Sequence, residues 1–201
     1  MGIILEGNFI NIVDSSNSEE KNKNEELYID YIETHRENVK AAYEKYFLPL
    51  LDDEFELNSC SVNEFKKSIE DATHNISVHD ESKYSDIEFT PYRIRFYPTT
   101  NEKAALENSD IAQEQAESFA IAWKHHYSNN PHHPNYWVNE ETGEIADMQL
   151  RYIVEMLCDW LSFGDDIRVW YKNEAETEKK AMSIRTQEIV VELMDLIYSK
   201  A

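Results

Sequence analysis

The sequence predicts an all-α protein, and three observations carry that prediction. Glycine and proline are scarce, four and five among 201 residues, so few positions interrupt a helix. Apolar residues recur at three-four spacing over long stretches, which is the period of one helix face. Ser-x-x-Glu boxes, which tie down the first turn of a helix, stand at Ser61–Glu64 and Ser85–Glu88. No internal repeat is visible, and a chain of this length is expected to form one domain around one core.

The elements follow in order. "IILEGNFINIV" within residues 1–13 predicts an extended segment or small hairpin turning at Glu6-Gly7-Asn8. Residues 14–24 are polar, lack large apolar side chains and read as a flexible linker. Residues 25–201 are then a single helical domain. From Glu25 to Leu51 the positions Leu27, Tyr28, Tyr31, Ile32, Val39, Ala42, Tyr43, Tyr46, Phe47 and Leu50 predict one long amphipathic helix. His35 interrupts that stripe and therefore faces the core. The second helix begins at the Ser61 box, and its stripe Val62, Phe65, Ile69, Ala72, Ile76 leads on to His79, Asp80 and Lys83. The Ser85 box predicts a short helix that stops before Pro91, with "YRIRFYP" as an extended link.

A third helix is predicted over about Lys103–His126, with Ile111, Ala116, Phe119, Ala122 and Trp123 inward. His126 extends that face and His125 sits beside it. The loop "SNNPHHP" follows, carrying His132 and His133 between prolines. A fourth helix over about Asp147–Phe163 would bury Met148, Tyr152, Met156, Trp160 and Phe163, with Gly164 ending it and with Glu155 and Asp159 one turn apart on its flank. The last helix, "TQEIVVELMDLIY", would be capped by Thr186.

Charge and cysteine content narrow the function classes. Nineteen basic against forty acidic residues give a net charge of −21, which argues against binding a nucleic-acid backbone or an anionic membrane. The acidity fits solvated helix faces, and beyond that an imitation of nucleic acid. No apolar run approaches a membrane span. The N-terminus lacks a basic leader and carries Glu6 where a myristoylation signal needs Ser or Thr. Cys60 and Cys158 offer neither a disulfide framework nor a paired thiolate site, so a cytoplasmic protein is expected.

The chemistry gathers on histidines and carboxylates. Asp80 falls where a helix presents its buried face, and a buried carboxylate without a cation or donors costs several kcal/mol. A divalent metal holds a neighbouring His and Asp together where a helix ends. His35, His126 or His125, and Asp159 intrude on the apolar faces of three other helices, and helical bundles build metal sites from side chains on facing helices. A single core histidine is more often only hydrogen-bonded; several that converge favour a site. Cys158, beside Asp159, reads as a small core residue.

The order His35, His79-Asp80, Asp159 resembles the H…HD…D ligand series of the HD-domain metal-dependent phosphohydrolases, an all-helical superfamily. "HDESK" is also similar to the HDxxK variant of the HD-GYP phosphodiesterases and the di-iron inositol oxygenases. The resemblance implies an HD-like helical bundle with His35, His79, Asp80 and Asp159 as metal ligands and Lys83 beside the substrate. It implies a second-metal or substrate role for His125, His126, His132 and His133. No "GYP" element follows the histidine pairs. "HDESKYSDIEFTPY", "AWKHHYSNNPHHPNYW" and "EMLCDW" together also resemble an uncharacterised family of bacterial and phage proteins.

On this reading one ion, or two, of Mn²⁺, Fe²⁺, Co²⁺ or Zn²⁺ suits the nitrogen and oxygen donors. Asp80 and Lys83 are the catalytic candidates, and Lys83, Arg36 and Lys124 the phosphate-binding ones. Arg93 and Arg95 are also in reach of phosphates, and a surface ion pair with the many acidic neighbours is the alternative for all four, Arg36, Lys124, Arg93 and Arg95. A salt bridge to Asp80 or Glu81 is the alternative for Lys83. Glu155 is placed behind the ligands as an acceptor for a ligand histidine. Tyr136, Trp137, Trp160, Trp170 and Tyr171 can stack a base or fill the core. The expected function is a metal-dependent phosphohydrolase acting on a small phosphate ester such as a nucleotide. The alternatives are a non-catalytic nucleotide-sequestering or nucleic-acid-mimicking protein, and an iron oxygenase on the same fold.

Overall fold

A computed structural model describes residues 18–164 and 166–200 of the chain. The segment expected as extended at 1–13, and linker residues 14–17, lie outside the described residues. The fold is all-α. Its helices are α1 (Ser18–Ala42), α2 (Val62–Ser77), α3 (Phe89–Phe96), α4 (Thr100–Ala105), α5 (Ser109–Asn129), α6 (Leu150–Ser162), α7 (Ile167–Asn173), α8 (Glu176–Lys180) and α9 (Ile184–Lys200). Among the described residues the only β pairing is an isolated bridge between Val138 and Ile145. None of the described helices is long and apolar enough to cross a membrane.

The chain divides into two compact units. The first comprises the chain up to Thr34 together with Asp80–Asn129. Its small core sets Tyr28 and Ile32 with Tyr92 and Ala122, flanked by Phe89, Phe119 and Trp123. The second comprises His35–His79 and Asn130–Ala201. Its larger core joins Phe47, Phe65, Ile69, Ile153, Leu157 and Leu193, and α2 and α6 are its most closely packed helices.

Several elements differ from their sequence expectation. Ser18–Asn24 is helical rather than a linker, because its polar side chains have partners within the first unit. Glu20 accepts from the amide and hydroxyl of Thr100, both at 2.8 Å, and Asn24 donates to the Tyr97 carbonyl at 3.2 Å. At its other end α1 does not run to Leu51. It passes into a π-turn over Tyr43–Phe47 and a 3₁₀ turn over Leu48–Leu51, where Pro49 has no N–H to continue the ladder.

Ser61 holds the N-cap position of α2, but its side chain makes no capping hydrogen bond. The Ser85 box does not form either, since the Glu88 carboxylate is engaged by histidines. Pro91 lies in the first turn of α3, where its missing N–H costs nothing, so "YRIRF" is helical rather than extended. The predicted third helix is two, α4 and α5; Ala116 is exposed and the inward face of α5 is Gln115, Ser118, Ala122 and His126. Ser183, not Thr186, caps α9 by accepting from the Thr186 amide at 3.1 Å, and Thr186 instead accepts from the Met148 amide at 3.0 Å.

Arg93 is not available to a phosphate. It is buried in the first unit, where its guanidinium forks onto Glu102, with Nη2 donating to Oε1 at 2.7 Å and Nη1 to Oε2. Glu102 also forms a reciprocal capping box with Thr99 at the start of α4. Burial pushes the Glu102 carboxyl up, but Arg93 and the Thr99 donors outweigh it and hold the group below its ordinary range.

Candidate metal centre

In the second unit three donor atoms converge. His35 comes from α1, His79 from the turn after α2, and Asp159 from α6. His35 Nε2 stands 3.1 Å from Asp159 Oδ1 and 3.3 Å from His79 Nε2, and His79 Nε2 is 3.9 Å from the same carboxylate oxygen. A point equidistant from atoms so spaced lies about 2.0 Å from each, the length of a metal–imidazole or metal–carboxylate bond. Helix periodicity explains the placement. His35 lies on the face that also carries Ile32 and Val39, and Asp159 is one turn beyond Glu155.

Partners behind the imidazoles fix where their protons sit. His79 Nδ1 is 3.0 Å from Glu155 Oε1, and a carboxylate only accepts, so the proton is on Nδ1 and the lone pair on Nε2. Ser162 Oγ is 3.2 Å from His35 Nδ1 and orients that ring, the hydroxyl serving as donor or acceptor. Two imidazole nitrogens and a carboxylate oxygen thus point at one place, an arrangement that suits a cation or a shared proton. Both nitrogens and the oxygen suit a borderline divalent metal, and the carboxylate behind His79 is the usual support of such a ligand.

Glu155 serves two histidines. His132 Nδ1 is also 3.0 Å from Oε1, and Asn75 donates to Oε2 at 3.1 Å. His79, His132 and Glu155 form a group that can hold an ion in its own right. Burial raises the Glu155 carboxyl, yet His132 and His79 bring it down to about 2. Burial likewise raises Asp159, but His35, with the neighbouring His79 and His132, outweighs it and holds the carboxyl well below its ordinary range. Cys158 is buried, and burial, reinforced by the charges of Glu155 and Asp159, pushes its thiol well above the ordinary range. It is a core residue, as expected.

The Glu155 value sets a pH dependence. Its carboxyl falls from 4.5 to about 2 on folding, so the stability it contributes is complete above 4.5 and lost as pH drops through that window. Thermal midpoints of the metal-free protein measured from pH 6 to pH 2 should fall more steeply for the wild type than for Glu155→Gln, by a few kcal/mol across the window.

The first unit holds the other candidates. Asp80 follows His79 in the chain and adopts φ 58° and ψ 17°, the only positive φ outside glycine among the described residues. Its Oδ2 accepts from Lys83 Nζ at 2.6 Å, so the salt-bridge alternative for Lys83 is realised. Its Oδ1 is 3.4 Å from His126 Nε2. Glu88, fully buried, clamps the adjacent histidines, with Oε1 2.6 Å from His125 Nδ1 and Oε2 2.9 Å from His126 Nδ1. Burial raises its carboxyl, but the His126 and His125 hydrogen bonds leave it below the ordinary range.

Other candidates fall elsewhere. His132, a candidate for a second metal or the substrate, is buried, and the loop that carries it is pinned by Trp137 Nε1 donating to the Pro131 carbonyl at 2.8 Å. His133 is half-buried with its ring 4.3 Å from that of His132. Arg36 donates to the Ser77 carbonyl at 2.9 Å, Lys124 is exposed, and Arg95 lies against the Phe119 ring. Phe163 is not buried but 62% exposed, because α6 ends at Ser162 and the chain turns at Gly164 with φ 83°.

Glu88, Ser162 and Asn75 escaped the sequence reading as site residues. Nothing in local spacing marks them, because each acts on a partner remote in sequence. Neither a curated protein nor a solved structure matches the chain. A family of unknown function, DUF5662, matches residues 24–197, and the chain belongs to that family.

Proposed function

We propose that the protein is a metal-dependent phosphohydrolase acting on a small phosphate ester, with nucleotides the first class to test. One observation carries the reading: two imidazole nitrogens, each on a ring with a hydrogen-bond partner behind it, and one carboxylate oxygen sit at mutual distances that a single divalent ion satisfies. His35, His79 and Asp159 are the ligands. Asp80, next to His79 in the chain, is the carboxylate that completes the HD pair of the sequence pattern.

A divalent ion, when bound, supplies Lewis acidity toward a phosphoryl oxygen and acidifies water. The chain's own residues do the rest. Glu155 and Ser162 hold the His79 and His35 rings with their Nε2 atoms turned to the ligand-binding position. Lys83, already donating to Asp80, is the cation that the HDxxK pattern assigns to the substrate phosphate. Within the first unit, the Glu88–His126 pair sets a hydrogen-bonded imidazole beside Asp80, able to hold or pass a proton.

The test is elemental analysis of the wild type beside a His79→Ala, Asp80→Asn variant, with phosphate release followed over a nucleotide panel in Mn²⁺ or Co²⁺. Bound metal near one ion or more per chain in the wild type alone, with phosphate released, is the expected result. Equal metal in both proteins, or no phosphate from any nucleotide, sinks the reading.

A further inference from the structure

The ring that periodicity assigns to the core and the fold leaves outside is Phe163. It is 62% exposed, yet it is not remote from the metal centre. Its ring centroid is 5.3 Å from that of His35, with the planes 30° apart. Ser162, the residue before it, hydrogen-bonds His35, and Asp159 lies four residues earlier, on the same side of α6. Gly164 then turns the chain at φ 83°, and a Cβ placed there would meet no atom of the described residues beyond its neighbours within 4 Å, so the turn that follows the ring is uncrowded.

The centre also has a more open side. The Asp159 side chain is 14% exposed, against 6% for His35 and none for His79. Asp159 is thus the most exposed of the three donors, and the exposed Phe163 ring stands beside His35. A chain of net charge −21 does not attract a phosphorylated molecule by its overall field. Affinity must come from local contacts, and an exposed flat ring beside a phosphate-binding centre is such a contact.

We propose that Phe163 is the platform on which the substrate's base stacks, so that the site takes a nucleoside phosphate in preference to a sugar phosphate. This deepens the phosphohydrolase reading and rests on it for the phosphate end of the ligand. Phe163 acts in binding and specificity; it carries no proton and donates no hydrogen bond. Stacking is tolerant of base identity, so the preference is for a base over none rather than for one base.

The experiment measures equilibrium binding of AMP and of ribose 5-phosphate to the full chain equilibrated with Mn²⁺, for wild type, Phe163→Ala and Phe163→Trp. Bound metal is determined on the same samples. Wild type should bind AMP about 5- to 100-fold more tightly than ribose 5-phosphate, the range that stacking one base on one ring gives. Phe163→Ala should erase that difference, and Phe163→Trp should keep it, with its added indole fluorescence changing on AMP addition. Equal affinities in the wild type, no binding of either compound, or an AMP preference that survives Phe163→Ala overturns the proposal. A base preference lost in Phe163→Ala in a protein without bound metal upholds the platform and sinks the metal reading. Bound metal with no base preference does the reverse.

Discussion

Asp159→Ala is expected to lower divalent-metal affinity by about a hundred-fold or more, since four-ligand sites bind with roughly 10–16 kcal/mol and one ligand accounts for on the order of 3. Asp159 supplies the only anionic oxygen among the three converging donors of the second unit. Without it, two imidazole nitrogens 3.3 Å apart face each other with no counter-charge. The loss is measured by competition with a chelating dye, and circular dichroism establishes that the variant is folded. Asp159→Asn separates charge from shape: it keeps an oxygen donor but removes the anion, and its affinity should fall between the two. A variant that retains wild-type metal affinity would show that Asp159 only balances protonated imidazoles.

The second large effect concerns stability. Glu102→Gln should destabilise the protein by about 3–5 kcal/mol, the cost of leaving one member of a buried ion pair without its partner. Arg93 and Glu102 are both buried, and the remaining guanidinium cannot lose its proton to escape. The midpoint of thermal unfolding is the readout, with a fall of roughly 6–20 °C for a chain of this size. The paired change Arg93→Met, Glu102→Leu should recover most of the loss, because a buried ion pair and an apolar pair of similar volume are often equal in stability. The residual deficit should be about 1 kcal/mol, from the lost cap on Thr99. A double variant no better than the single one would show that the pair is needed for the local fold rather than for charge balance.

Much of the candidate metal centre was legible because helix periodicity fixes faces. His35 on the stripe of α1 and Asp159 beside the apolar face of α6 needed only the three-four rule to be placed inward. His79 was legible as the next inward position after Ile76. Which side chain meets which was not legible. Glu155 lies 76 residues from His79, and Glu88 lies 38 from His126, so no spacing rule links them. Phe163 was misplaced for a related reason: periodicity predicts a face only while the helix lasts, and α6 ends one residue earlier. The α4 cap was in reach, since Thr99-x-x-Glu102 is the same box that was noted at Ser61 and Ser85. Of the three boxes, this is the one whose reciprocal bonds form, because Glu102 is held in place by Arg93.

The left-handed backbone at Asp80 bears on how that residue can be interrogated. Only Gly, Asn and Asp adopt φ near +60° without a penalty of about 1–2 kcal/mol. An alanine there would therefore report two losses at once, the carboxylate and the turn, and a drop in activity or stability could not be apportioned between them. Asparagine keeps the turn and the shape while removing the charge, and glycine keeps the turn while removing the side chain. Position 80 thus admits a narrow set of informative substitutions, and comparing Asp80→Asn with Asp80→Gly separates electrostatics from sterics at the residue where the HD motif ends.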